Sequence, residues 1–171
     1  MSLTVEISVE SELWTALAGL EVLVGATLQT AAENCGDPLL EGAEVSLLFC
    51  DDARIRELNQ QFRDKDRPTN VLSFPGPDPV ETAAFLGDIA IAYETVAREA
   101  QEDSISLEQH CRHMIVHGFL HLLGYDHEED DEAEAMEALE INILRQMGVE
   151  NPYLADETEE TEGNERVRPG Q

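Results

Sequence analysis

Three of the chain's five histidines fall in one short run, His117-Gly118-Phe119-Leu120-His121-Leu122-Leu123-Gly124-Tyr125-Asp126-His127. On a helix, His117 and His121 stand one turn apart with Cβ atoms about 5–6 Å from each other, so both imidazoles reach a single ion. Gly124 can take a positive φ and end the helix in a left-handed turn. That turn can bring His127 back toward the pair. Three neutral imidazoles at about 2.0–2.1 Å leave one tetrahedral position open, the arrangement of a catalytic zinc rather than a closed structural one. Two histidines four apart could arise by chance on an apolar helix. The third, placed beyond a helix-stopping glycine, is what weighs for a metal. His113, one turn before His117, reads as a group behind the ligands, a proton relay or a polar residue at the helix margin. His110 reads as solvated. Asp126 could orient an imidazole or serve the turn.

The spacing H-x-x-x-H-x-x-G-x-x-H is that of the metzincin proteases. Those enzymes carry a glutamate directly after the first histidine as general base. Here that position is Gly118, so a metallopeptidase is the weaker reading.

A second block lies upstream, Leu58-Asn59-Gln60-Gln61-Phe62-Arg63-Asp64-Lys65-Asp66-Arg67-Pro68-Thr69-Asn70-Val71-Leu72-Ser73-Phe74-Pro75. Residues 54–67 hold Arg54, Arg56, Arg63, Lys65 and Arg67 against Glu57, Asp64 and Asp66. Arginine forks suit phosphate oxygens. Ion pairing with Asp64 and Asp66 would account for Lys65 and Arg67 but leaves Arg63 to be explained.

Periodicity supplies the elements that must carry these groups. Alternation over 3–9 predicts a half-buried strand. Leu13, Leu17, Leu20, Val24 and Leu28 form one helical stripe, with Ser11 as N-cap, Trp14 packed on the helix and Gly36-Asp37-Pro38 as the stop. A second strand covers 45–50. The helix after it, capped by Asp51 or Asp52, has Ile55, Leu58 and Phe62 inward. Residues 63–68 read as a charged loop, 70–74 as a short strand, and 78–84 as loop. A β-compatible segment, 86–92, is interrupted by Gly87-Asp88. Helices follow at 93–101, 106–123 and 128–147. In the last of these, Met136, Leu139, Ile143 and Met147 face inward, with Gly148 just beyond. The expected fold is one α/β (α+β) domain over 1–154, with a mixed, mainly four-stranded sheet under about five helices. Residues 155–171 have almost no apolar side chains and read as an acidic, disordered tail.

The chain has 171 residues, 10 basic against 37 acidic, for a formal charge of −27. Such a field repels nucleic acid and anionic membrane at long range, so any nucleic-acid role must rest on a local basic patch or a bound metal. No apolar run approaches the roughly 20 residues of a membrane span, and the N-terminus lacks the pattern of a secretory signal. Cys35, Cys50 and Cys111 are odd in number and form no C-x-x-C motif. They read as small buried hydrophobes of a reduced, cytoplasmic protein.

Taken together, LNQQFRDKDRPTNVLSFP, Leu86-Gly87-Asp88-Ile89 and HGFLHLLGYDH, followed by an acidic helix with Met136-Glu137 and Glu140, resemble the YbeY family of bacterial endoribonucleases. The resemblance covers about 45–148. It implies zinc, one per chain, held by His117, His121 and His127, with the family's essential arginine at Arg63 and a catalytic-site histidine at His113. It further implies cleavage of single-stranded RNA in 16S rRNA 3′-end maturation and ribosome quality control. The implied partners are ribosomal RNA and the small ribosomal subunit, reached through a ribosomal protein or an assembly GTPase, with no membrane and no DNA. Asp88 would support the site or serve a structural turn. The alternative within this setting is a non-catalytic ribosome assembly factor.

Overall fold

In a computed structural model of the chain, residues 2–126 and 128–153 are described. Four strands form one mixed sheet: β1 (Thr4–Val9), β2 (Glu44–Cys50), β3 (Val71–Pro75) and β4 (Phe85–Ala92). Their spatial order is β1-β2-β4-β3, with β1 parallel to β2, β2 parallel to β4, and β3 antiparallel to β4. The parallel β1–β2 pair is joined by a helical crossover and the antiparallel β3–β4 pair by the short 76–84 connection, whereas β2 and β4 are neighbours in the sheet but not in sequence. The helices are α1 (Leu20–Asn34), α2 (Asp52–Arg63), α3 (Tyr93–Glu102), α4 (Leu107–Leu122) and α5 (Asp130–Gln146). The expected α/β domain with a four-stranded mixed sheet and five helices is the one observed. The expected tail at 155–171 lies outside the described residues. Among the described residues, no helix is long and apolar enough to cross a membrane.

Inward side chains of the strands, Val45, Leu47, Phe49, Ile89 and Ile91 among them, make one core with α1, α4 and α5. A smaller cluster on the opposite face joins Cys50, Leu72 and Ala90 to Ile55 of α2. Helix α4 runs through the middle, packed against α1, α3, α5, β3 and β4. It is buried on nearly every side from His110 to Leu120, as expected of an interior helix. Ser106 and Gln109 close its N-terminus with a reciprocal capping box, which satisfies two otherwise unpaired backbone donors.

Three local expectations are corrected. The first helical stripe is two elements. Ser11 caps a short 3₁₀ turn at Glu12–Ala16, and α1 begins only after Gly19, whose φ is 72°. Leu13 is therefore exposed. Trp14 packs edge-on against Phe49 and Tyr93 and donates its indole N–H to the Cys50 carbonyl at 2.9 Å, so it seals the end of the sheet. Phe62 is 57% exposed rather than inward, because α2 covers only one end of its sheet face. Gly87-Asp88 does not interrupt β4. The strand runs on through it, but Gly87, at φ 143°, is the last residue paired with β3, and the register with β2 shifts by one residue just before it. All three cysteines are buried and unpaired, as expected.

Candidate functional site

At its C-terminal end, α4 is held so that two histidines converge. The Leu123 N–H bonds back to the Phe119 and Leu120 carbonyls, the Gly124 N–H to His121 and the Tyr125 N–H to Leu120. Gly124 has φ 101°, the turn that its sequence position predicts. The reversal presents the Tyr125 carbonyl to His121, whose Nδ1–H donates to it at 2.8 Å. One turn earlier, the His117 Nδ1–H donates to Glu140 Oε1 of α5, also at 2.8 Å. With both Nδ1 atoms committed as donors, each Nε2 keeps its lone pair. The two Nε2 atoms face each other 3.1 Å apart. Facing lone pairs repel, whereas two ligands of one tetrahedral ion at about 2.0–2.1 Å lie about 3.3 Å from each other. The donor set therefore fits a divalent cation.

Glu140 is fully buried. Its Oε1 takes the His117 proton, and its Oε2 accepts from His113 Nε2 at 2.7 Å and from the Tyr153 hydroxyl at 2.6 Å. Burial alone would raise the carboxyl pKa. The hydrogen bonds from His113 and His117 outweigh it and hold the group ionised, well below the usual glutamate range. Burial pushes His113 the other way, toward the neutral form, against the pull of Glu140. Donor atoms of His113, His117 and Glu140 lie within 4.8 Å of one another, a buried group able to hold a metal ion.

Gly118 explains the missing glutamate. A Cβ at this position would stand 2.9 Å from Ile89 Cγ2, 3.2 Å from Ser73 Oγ and 3.3 Å from Val71 Cγ2. The face after His117 is pressed against the sheet, so a side chain there would enter the core instead of reaching a substrate.

The histidine end of α4 opens on a cavity of about 630 Å³. His121, Tyr125 and Asp126 line one wall, and Arg63, Lys65 and Arg67 line the other. Arg63 is the last residue of α2, and the left-handed Asp64 (φ 58°) turns the chain away after it. Its guanidinium donates to the Ser73 carbonyl and lies 5.4 Å from the centre of the Phe74 ring. Ser73 Oγ in turn donates to the Gly118 carbonyl at 2.8 Å, so one strand residue ties both walls together. The buried Asn59 shapes the following loop by accepting from Lys65 N and donating to the Arg67 carbonyl. Asp66 pairs with Arg56, outside the cavity. Among the described residues, no ion pair engages Arg63, Lys65 or Arg67. The alternative of pairing with Asp64 and Asp66 thus fails for the two cations it was meant to explain.

A family profile described as endoribonuclease YbeY matches residues 9–148. The chain belongs to the YbeY endoribonuclease family. An endoribonuclease YbeY of Methylocella silvestris is 46% identical over 153 residues, covering 90% of this chain and 87% of that one. One from a Chelativorans species is 49% identical, covering 88% and 93%. The solution structure of a Thermotoga maritima protein superposes with a TM-score of 0.56 at 27% identity, covering 98% of this chain and 99% of the other.

Of the residues singled out by sequence, His121 and Arg63 line one cavity, and His117, fully buried, stands directly behind His121 with the two Nε2 atoms 3.1 Å apart. His127 lies outside the described residues. His113 stands behind His117 on Glu140, buried, and does not line the cavity. His110 is not solvated. It is 1% exposed and bonds through Nε2 to Glu99 of α3 at 2.8 Å, a bond that α4's burial against α3 imposes. Asp88 is on the other face of the sheet, in a separate hollow with Phe62 and Phe74. The alternation of β4 points it away from Ile89 and hence from α4. Sequence reasoning gave no role to Glu140, Ser73 or Tyr153. Glu140 had a signal, an acid in the inward stripe of Met136 and Ile143. Tyr153 had none.

Proposed function

We propose that this member of the family is a metal-dependent endoribonuclease that cleaves single-stranded RNA, with zinc as the ion. The ligands would be His117, His121 and His127. The carrying observation is that the His117 and His121 Nε2 atoms converge at 3.1 Å where His121 lines the cavity that Arg63 also lines. A zinc ion there supplies Lewis acidity and a supply of hydroxide near neutral pH. The chain's own part is electrostatic. Arg63, oriented by Ser73 and Phe74, offers N–H donors to a non-bridging phosphate oxygen and to the extra charge of the pentavalent transition state. Lys65 and Arg67 extend the phosphate-binding wall. His113 acts through Glu140 rather than on substrate.

The family relatives carry the name endoribonuclease. The substrate proposed is ribosomal RNA, at the 3′ end of 16S rRNA and in ribosome quality control in the cytoplasm. A net charge of −27 favours delivery to the small subunit by a ribosomal protein or an assembly GTPase over free capture of RNA.

The test is elemental analysis beside cleavage of a single-stranded RNA and a duplex of the same sequence. About one zinc per chain, with cleavage of the single strand only, is expected. His121→Ala should lose both zinc and cleavage. If His121→Ala still cleaves, the ion is not part of the reaction. If metal is bound but no RNA is cleaved, the assembly-factor reading takes over.

A further inference from the structure

We propose that Glu140 and Tyr153 are positioning residues that set the tautomer of His117 and so the metal affinity of the site. The inference rests on the metal reading above and extends it to a residue beyond the span that the family profile matches, 9–148. An imidazole can ligate through Nε2 only if its proton sits on Nδ1, and the proton goes where an acceptor waits. For His121 that acceptor is a backbone carbonyl, fixed by the helix end. For His117 it is a side-chain carboxylate from another helix, Glu140 Oε1, which must itself be held.

Two groups hold it. His113 Nε2 and Tyr153 Oη both donate to Oε2, at 2.7 and 2.6 Å, so the carboxylate plane is fixed with Oε1 toward His117. Tyr153 is 5% exposed and packs edge-on against His113 at 5.6 Å between ring centres. Its own backbone N–H is taken by Asn151 Oδ1 at 2.8 Å, which sets the chain entering the tyrosine. The segment after α5 thus reaches back and locks the acceptor on which His117 depends. Every donor and acceptor in this triad of contacts is buried, so water does not replace a lost bond.

The experiment uses the full chain, ¹⁵N-labelled and stripped of metal, in wild-type, Tyr153→Phe, Glu140→Gln and His117→Ala forms. Ring ¹⁵N shifts report the His117 tautomer, and competition with a chromophoric chelator reports zinc affinity. In the wild type His117 should be protonated at Nδ1. Glu140→Gln should mix the tautomers and weaken zinc about 10–100-fold, and Tyr153→Phe, one bond further away, about three- to tenfold. Cleavage by Tyr153→Phe should return to near wild type when zinc is raised to saturation, which a residue acting on substrate would not allow. Unchanged tautomer and affinity in both variants overturn the proposal. So does tighter zinc in Tyr153→Phe, the result expected if Glu140 were a ligand that the tyrosine competes for. If His117→Ala keeps full zinc affinity, the metal reading itself has failed, and this inference fails with it. Tyr153→Phe keeps the buried ring, and Glu140→Gln gives an independent second reading should either variant fold poorly.

Discussion

Along α4, the polar side chains behind the cavity are buried and matched: His110 with Glu99, and His113 and His117 with Glu140. Across the cavity, Arg63, Lys65 and Arg67 are exposed and share no ion pair among the described residues. One wall fixes ring orientation by removing water and satisfying each proton. The other keeps cationic donors unneutralised in a chain of charge −27. The difference matches the two tasks. A metal ligand must be held in one tautomer and one direction, while a phosphate-binding group must retain its charge until a phosphate arrives.

The largest effect should come from separating the walls. Arg63→Ala is expected to lower kcat for RNA cleavage by about 10²–10³-fold, the cost of removing one transition-state donor, while zinc content stays at wild type. Lys65→Ala in the same assay should mainly raise KM. Loss of zinc in Arg63→Ala would mean that the two walls are one structural unit.

A middle-sized effect tests their junction. Gly118→Ala places a methyl 2.9 Å from Ile89 Cγ2 and should cost about 1–3 kcal/mol as α4 is pushed off the sheet. Urea unfolding measures it, and a neutral result would show slack where close contact is described.

The smallest effect concerns acid. Burial would raise the Glu99 carboxyl, but its bonds to His110 and Asn70 prevail and lower it below the ordinary 4.5. A carboxyl lowered in the folded state stabilises the fold above 4.5, and that contribution is lost as pH falls from there through the folded value, where the unfolded chain binds the extra proton first. Glu99→Gln should therefore show a shallower fall in melting temperature than wild type over that acid range. Parallel curves would mean that the pair contributes nothing.

Much of this was legible from residue order alone. The i, i+4 histidines and the Gly124 stop specify a helix end bearing two imidazoles, since helical spacing and the permissive φ of glycine are local properties. The basic block around Arg63 is local in the same sense, as are the strands and most helices. Phe62 misled because periodicity names a face without saying how far the sheet extends beneath it. His110 misled because a polar residue is buried or solvated according to what packs on its helix, here α3 with Glu99.

What only the tertiary structure decided is who meets whom across long stretches of chain. Glu140 lies 23 residues from His117, Tyr153 lies 40 from His113, and Ser73 lies 45 from Gly118. No repeat or spacing encodes those distances. They are set when α4 sinks between the sheet and α5, because burial there leaves the His113 and His117 ring protons with the Glu140 carboxylate as their acceptor. The sequence determined the donors and the turn that aims them, and the packing determined which oxygen holds each proton.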